Sequence, residues 1–166
     1  MNSDLEQLYC KSINKVIKNK RAIENSIGVK LEIKGNIVVI EGAAEQTFIA
    51  IQIIEAIDIG FSANQALDLK NEDFILRKLQ IKEIAKRNDL SQVRARVIGT
   101  KRRALNTIED LTGCNIVLHD NIIGIIGQTE DVKHAEYALT NLIRGSKHAN
   151  VYRYLEEQHV QKKLGF

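Results

Sequence analysis

The 166-residue sequence contains no proline, no tryptophan, two cysteines and only 5% aromatic residues. Without proline, and without any Gly/Ser tract, no segment has the composition of a flexible linker. Cys10 and Cys114 stand far apart and form no CxxC spacing, which argues against a disulfide or a cysteine zinc site and fits a reducing, cytoplasmic setting. No apolar run approaches the roughly 20 residues that span a bilayer. The start, Met1-Asn2-Ser3-Asp4-Leu5-Glu6, lacks the basic-then-apolar order of a secretory signal. The chain is therefore expected to be soluble and intracellular, with no membrane partner.

Catalytic constellations are missing too. No nucleophile-base pair, carboxylate cluster or nucleotide-binding loop stands out. His119, His134, His148 and His159 have no spacing that sets two ligands on one helical turn beside a carboxylate. The acidic pairs Glu109-Asp110, Glu130-Asp131 and Glu156-Glu157 are adjacent, so on helices they point to different sides and read as solvated faces or helix-end charges. The expectation is a non-enzyme with no metal and no cofactor.

What the chain does have is unevenly placed charge on a body that is 44% hydrophobic, enough to fill one ordinary core or two small ones. Residues 1–89 carry 13 cations and 13 acids and residues 90–166 carry 11 and 8, so the whole net charge of +3 lies in the second half. Between Asp89 and Glu109 there is no acid, while Arg94, Arg96, Lys101, Arg102 and Arg103 fall inside that window and leave a positive field unneutralised. Within it, Ile98-Gly99-Thr100-Lys101-Arg102-Arg103 sets a glycine and three consecutive cations at the start of a predicted helix. Glycine lets a backbone come close to a ligand, and helix N-terminal N–H groups prefer an anion. The stretch reads as a phosphate-gripping loop with nucleic-acid backbone as its leading ligand; the plainer alternative is a helix start with ordinary surface cations.

An internal repeat indicates two modules. A shift of 85 positions pairs Ile13 with Ile98, Ile23 with Ile108, Glu24 with Glu109, Gly28 with Gly113, Asn36 with Asn121, Ile40 with Ile125, Gly42 with Gly127 and Gly60 with Gly145, without a gap. The matches fall on glycines at element ends and on apolar positions inside elements, as two copies of one plan require. At the register of Gly99 to Arg102 the first copy has Asn14-Lys15-Val16-Ile17, with neither loop glycine. Its cations Lys11, Lys15, Lys18, Lys20 and Arg21 persist. That copy either touches RNA diffusely or serves as a packing and partner surface, because charge without close approach positions a ligand but grips it little.

After the loop come a helix, the strand Asn115 to Leu118, a turn at Asp120-Asn121, the apolar strand Ile122 to Ile126 ending at Gly127, and a helix over 129–144. This order resembles a KH domain, in which a GxxG loop between two helices clamps a few nucleotides of single-stranded nucleic acid. With Ile98-Gly99, Thr112-Gly113, Leu142-Ile143-Arg144-Gly145 and Val151 to Glu156 included, the chain resembles the archaeal two-KH-domain assembly factors of the small ribosomal subunit. These are homologues of the eukaryotic partner of the nuclease that matures small-subunit rRNA at its 3′ end. The resemblance implies an α+β fold of two tandem type I KH-like domains (βααββα), packed together, with an extra C-terminal helix. It also implies a non-enzymatic factor that holds the 3′ end region of precursor small-subunit rRNA, with that single strand, the maturation nuclease and the pre-ribosomal small subunit as partners. A KH protein acting on other RNAs in translation or RNA decay shares every groove feature and stays open.

The expected boundaries are a degenerate KH-like domain over 1–60, a connecting segment over 61–72, a KH domain over 73–150 and a C-terminal helix over 151–166. In the connecting segment Ser62 is placed to cap a short helix and Phe61 to anchor its entry. Gly124-Ile125-Ile126-Gly127 is formally a second GxxG, but it lies in an apolar run without cations and reads as buried strand. Around the true loop, Gly99 to Arg103 are expected to hold phosphates, and Arg94 and Arg96 to extend the basic path. Ile98, Leu105, Ile108 and the strand from Asn115 are expected to floor the groove, and Lys147 and His148 to border the RNA. Ile98 and Ile108 serve equally well as plain core. The departure from the KH pattern is Arg102 at the second GxxG glycine, where it either crowds the sugar-phosphate backbone or clamps a phosphate with its guanidinium. In the C-terminal stretch Tyr152 and Arg153 are placed for partner contacts, or the helix simply stabilises the fold.

Overall fold

The computed structural model of the chain describes residues 3–165. Met1 and Asn2, with which the signal-free start was read, and Phe166, the end of the expected last helix, lie outside the described residues. The chain divides into two compact units, one up to Phe74 and one from Ile75.

In the first unit β1 (Asp4–Tyr9) leads into α1 (Ile13–Ile27), β2 (Lys30–Lys34), β3 (Ile37–Gly42) and α2 (Ala44–Asp58). The sheet order is β1-β3-β2, antiparallel throughout, with Tyr9 opposite Ile37 and Leu31 opposite Ile40. Leu31, Val38 and Ile40 are buried, as are Val16 and Ile23 of α1 and Ile53, Ile54 and Ile57 of α2. Each such side chain contributes roughly 1.5–3 kcal/mol on leaving water. The start of α1 is held from outside the helix: the backbone amides of Lys11 and Ser12 donate to the Asp58 carboxylate at 3.2 and 2.6 Å. A carboxylate there suits both the orphan N–H groups and the helix dipole. The segment after α2 is a short helix, α3 (Ala63–Leu67), and a 3-10 turn (Asp68–Lys70) that pack against α2. Ser62 and Gln65 form a reciprocal capping box there, and Phe61 is buried.

The second unit runs β4 (Phe74–Gln80), α4 (Ile81–Ala85), α5 (Ser91–Ile98), α6 (Arg103–Thr112), β5 (Asn115–His119), β6 (Ile122–Gln128), α7 (Thr129–Arg144) and α8 (His148–Lys163). Its sheet order is β4-β6-β5, so β5 is an edge strand. The formal GxxG at Gly124 to Gly127 lies inside β6, with Ile125 and Ile126 fully buried. α8 begins three residues before the expected helix and packs against α6 and α7 through Val151 and Leu155. Its far end is tied by Lys162, whose Nζ meets both Asp131 carboxylate oxygens at 3.0 and 2.8 Å. Asp131 is therefore a tether between α7 and α8, where its sequence read as a solvated face.

An α+β chain of two KH-like units with an extra C-terminal helix is as expected, and the repeat explains its own matches. In both units the carbonyl of the hairpin asparagine accepts the amide of the residue that follows the first strand: Asn36 from Cys10 at 2.8 Å and Asn121 from Ile81 at 2.9 Å. The offset is 71 for the strand and 85 for the hairpin, so the second unit holds 14 more residues between them. They fall in the stretch of α4 and α5, where the first unit has only Lys11 and Ser12 between Cys10 and the start of α1. The first unit is thus an abbreviated βααββα unit, with α1 running straight through the register of the missing loop. A Cβ on Gly42 would sit 2.9 Å from Val29, and one on Gly127 would sit 2.6 Å from Cys114, which is the residue equivalent to Val29. These two glycines match because β3 and β6 pass against the same repeated side chain.

Candidate nucleic-acid interface

Gly99 ends α5 with φ 73 and ψ 168, a region essentially reserved for glycine, and a Cβ there would lie 2.8 Å from the Ala104 amide nitrogen. The chain therefore folds back sharply enough for α6 to begin against the end of α5. Thr100, Lys101 and Arg102 form one 3-10 turn, and Lys101 and Arg102 both take left-handed backbone at φ 54 and 63. Thr100, Lys101 and Arg103 are exposed, with no carboxylate between Asp89 and Glu109 to neutralise them.

Of the four arginines around the loop, Arg94, Arg96 and Arg102 have partners within the fold. Arg102 turns its guanidinium back onto the domain: Nη1 donates to Asn106 and Glu109, and Nη2 donates to the Ile116 carbonyl at 2.7 Å. The guanidinium is engaged with the fold, where the sequence left it either crowding the sugar-phosphate backbone or clamping a phosphate. Arg96 reaches the C-terminal end of α7 and the turn after it, donating through Nε to the Leu142 carbonyl at 3.0 Å and through Nη2 to the Ser146 carbonyl. A cation on the last carbonyls of a helix is favourably placed. His148 Nε2 lies 2.9 Å from the Arg96 carbonyl. Arg96 and His148 thus strap α5 to the α7–α8 turn, where an open basic path was expected. Arg94 lies beside the β5–β6 turn, with Nη1 3.4 Å from Asn121 Oδ1.

Among the floor residues, Leu105 and Ile108 are fully buried core, which decides the open reading of Ile108. Ile98 is half-buried and packs against that core, and Asn115 is half-buried at the start of the edge strand. Lys147 is exposed immediately before α8, and the His148–Arg96 contact sets it beside the end of α5. Tyr152 of α8 lies near Arg103 and Thr107; burial raises its phenol above the usual range despite both. The exposed cations Lys101, Arg103 and Lys147 are thereby brought to one end of the unit. The arrangement offers a tight glycine turn, a basic rim, and the outer edge of a strand. Among the described residues there is no cluster of three metal-ligating side chains, and no helix is long and apolar enough to cross a membrane.

Sequence reading missed Glu109. Its Oε2 accepts the Ile116 amide at 3.0 Å while Oε1 meets Arg102. In the first unit Glu24 Oε2 accepts the Leu31 amide at the same 3.0 Å. The signal was the Glu24–Glu109 match of the repeat, which marked a polar position shared by both copies.

Residues 75–160 match the family model of the second KH domain of PNO1 proteins, a eukaryotic type KH-domain (KH-domain type I). A KH domain-containing protein of Methanocaldococcus jannaschii is 34% identical over 151 residues, covering 87% of this chain and 66% of that protein. A pre-rRNA-processing protein, pno1 of Emericella nidulans, is 27% identical over 117 residues, covering 68% of the chain and 45% of that protein. The chain thus spans about two thirds, or less than half, of the length of these relatives. A chain in the crystal structure of the a/eIF2alpha-aDim2p-rRNA complex from Pyrococcus horikoshii superposes with a TM-score of 0.87 at 29% identity, covering 96% of each chain.

Proposed function

The chain belongs to the PNO1-type KH-domain family, and on that premise we propose that it is an RNA-binding assembly factor that holds the 3′ end region of precursor small-subunit rRNA during ribosome maturation. The observation that carries this reading is the tight glycine turn of the second unit, which sets exposed Lys101 and Arg103 together in an acid-free window. A pre-rRNA-processing relative and a similar chain in an rRNA complex support rRNA as the ligand.

Gly99 and Thr100 present backbone to the phosphates, while Lys101, Arg103 and Lys147 supply charge. Half-buried Ile98 and Asn115 line the side on which bases lie. Phosphate contacts fix register, and reading falls to main-chain and polar groups because aromatics are few. Such a groove holds a flexible end for another enzyme to cut, so the maturation nuclease and the pre-ribosomal small subunit are the proposed partners and the cytoplasm the proposed site. The first unit, lacking the loop and the helix before it, serves mainly as a packing and partner surface.

Crosslinking in cells tests the reading. Crosslinks from the Gly99 to Arg103 segment should concentrate near the 3′ end of precursor small-subunit rRNA, and depletion should leave that end untrimmed. Crosslinks scattered over messenger RNAs, with normal rRNA ends after depletion, would assign the protein to another RNA.

A further inference from the structure

Arg102 occupies a left-handed position that suits glycine, and its side chain makes three contacts at once. We infer that Arg102 is a specificity-determining positioning residue, which latches the loop onto the outer edge of β5 and closes one main-chain reading position there. The inference rests on the RNA-binding reading above and concerns how that site reads bases.

β5 is an edge strand, and in an antiparallel ladder alternate residues turn their N–H and C=O away from the partner. Ile116 is such a residue. Its amide is taken by Glu109 at 3.0 Å and its carbonyl by Arg102 at 2.7 Å, so neither is left for a base. An outward carbonyl is the kind of group that accepts an exocyclic amine, which cytosine has and uracil lacks. The first unit separates the two contacts: Glu24 holds the Leu31 amide in the same way, but Ile17 stands at the register of Arg102. The glutamate contact therefore belongs to the fold, and the arginine contact is what the second unit adds. Only a planar guanidinium reaches Asn106, Glu109 and a carbonyl together; a lysine ammonium is a single point donor group on a flexible stem.

The test uses the full chain and its Arg102→Gly and Arg102→Lys variants, titrated with oligocytidine and oligouridine of equal length over a salt series. Glycine is compatible with the left-handed backbone, and lysine keeps the charge. With Arg102 as a latch, both variants gain preference for oligocytidine over oligouridine by roughly three- to tenfold, the worth of one hydrogen bond. The salt slope of the glycine variant then stays at the wild-type value. Two results overturn the inference: an unchanged preference, or a loss on both RNAs with the slope shallower by about 0.7 in Arg102→Gly and restored in Arg102→Lys, which would make Arg102 a phosphate contact. Wild-type protein that binds neither RNA at low salt would overturn the RNA-binding reading itself, and the latch with it.

Discussion

The Glu109 carboxylate accepts the Ile116 amide at 3.0 Å and so ties the middle of α6 to the outer edge of β5. Glu24 and Leu31 repeat the contact 85 residues earlier. A buried or half-buried amide without a partner is costly. Glu109→Ala is therefore expected to lower stability by about 1–3 kcal/mol, and Glu24→Ala to act in the same direction. The Glu109 change should be the larger because it also removes the partner of Arg102. Urea unfolding of each variant checks this, and unchanged midpoints would show that the contact stabilises neither unit.

Gly127 is expected to tolerate no side chain while Cys114 is present, since a Cβ would lie 2.6 Å from its Sγ. Gly127→Ala should cost about 1–3 kcal/mol through overpacking. Cys114→Ala removes the obstructing sulfur, so the double variant should recover much of that loss in a double-mutant cycle. Additive losses would place the strain elsewhere.

Both thiols are buried, and burial pushes Cys10 up to about 12 and Cys114 up to about 11 from the ordinary 9.0. Asp58 and Glu55 add to the rise at Cys10, while the Thr112 hydrogen bond offsets part of it at Cys114. Folded thiols therefore keep their protons at a pH where unfolded ones lose them. Stability from this source is complete below pH 9.0 and falls as pH rises towards 11 and 12. The native chain should resist thiol reagents near neutral pH. A variant with both cysteines replaced by alanine should lose stability less steeply across that alkaline window than the natural chain; equal slopes would show that the thiols do not titrate differently on unfolding.

The fold was largely legible because its signals are local. Alternation at Leu31, Ile33, Val38 and Ile40, the apolar run of β6, and glycines closing α1, α6 and α7 fall where their elements require them. Ser62 was legible as the cap of a short helix, and its reciprocal bond with Gln65 came with the structure. The abbreviated first unit was less visible, because α1 is continuous through a register whose residues show only that the loop glycines are absent. Side-chain direction was not legible at all. Arg96 finds its partners 46 and 50 residues away, and Arg102 bends back to a carbonyl 14 residues on. A charge window records how many cations are present, but their partners are set by which helix end or strand edge the fold brings within reach.

The division of labour between the units is tested most directly by matched charge removal. A single-stranded RNA with the sequence of the small-subunit rRNA 3′ end would be titrated with Lys101→Ala/Arg103→Ala and with Lys15→Ala/Lys18→Ala, over a range of salt. Gly99 is the wrong position to change, since any side chain there meets Ala104 and distorts the turn. Gripping by Lys101, Arg103 and Lys147 gives a slope of log affinity against log salt near −2 in the natural chain, at about −0.7 per phosphate. The expected result is that the loop pair loses most of the affinity and about 1.4 of that slope, while the α1 pair changes little. Equal losses from the two pairs would contradict it and make the first unit a full second RNA site.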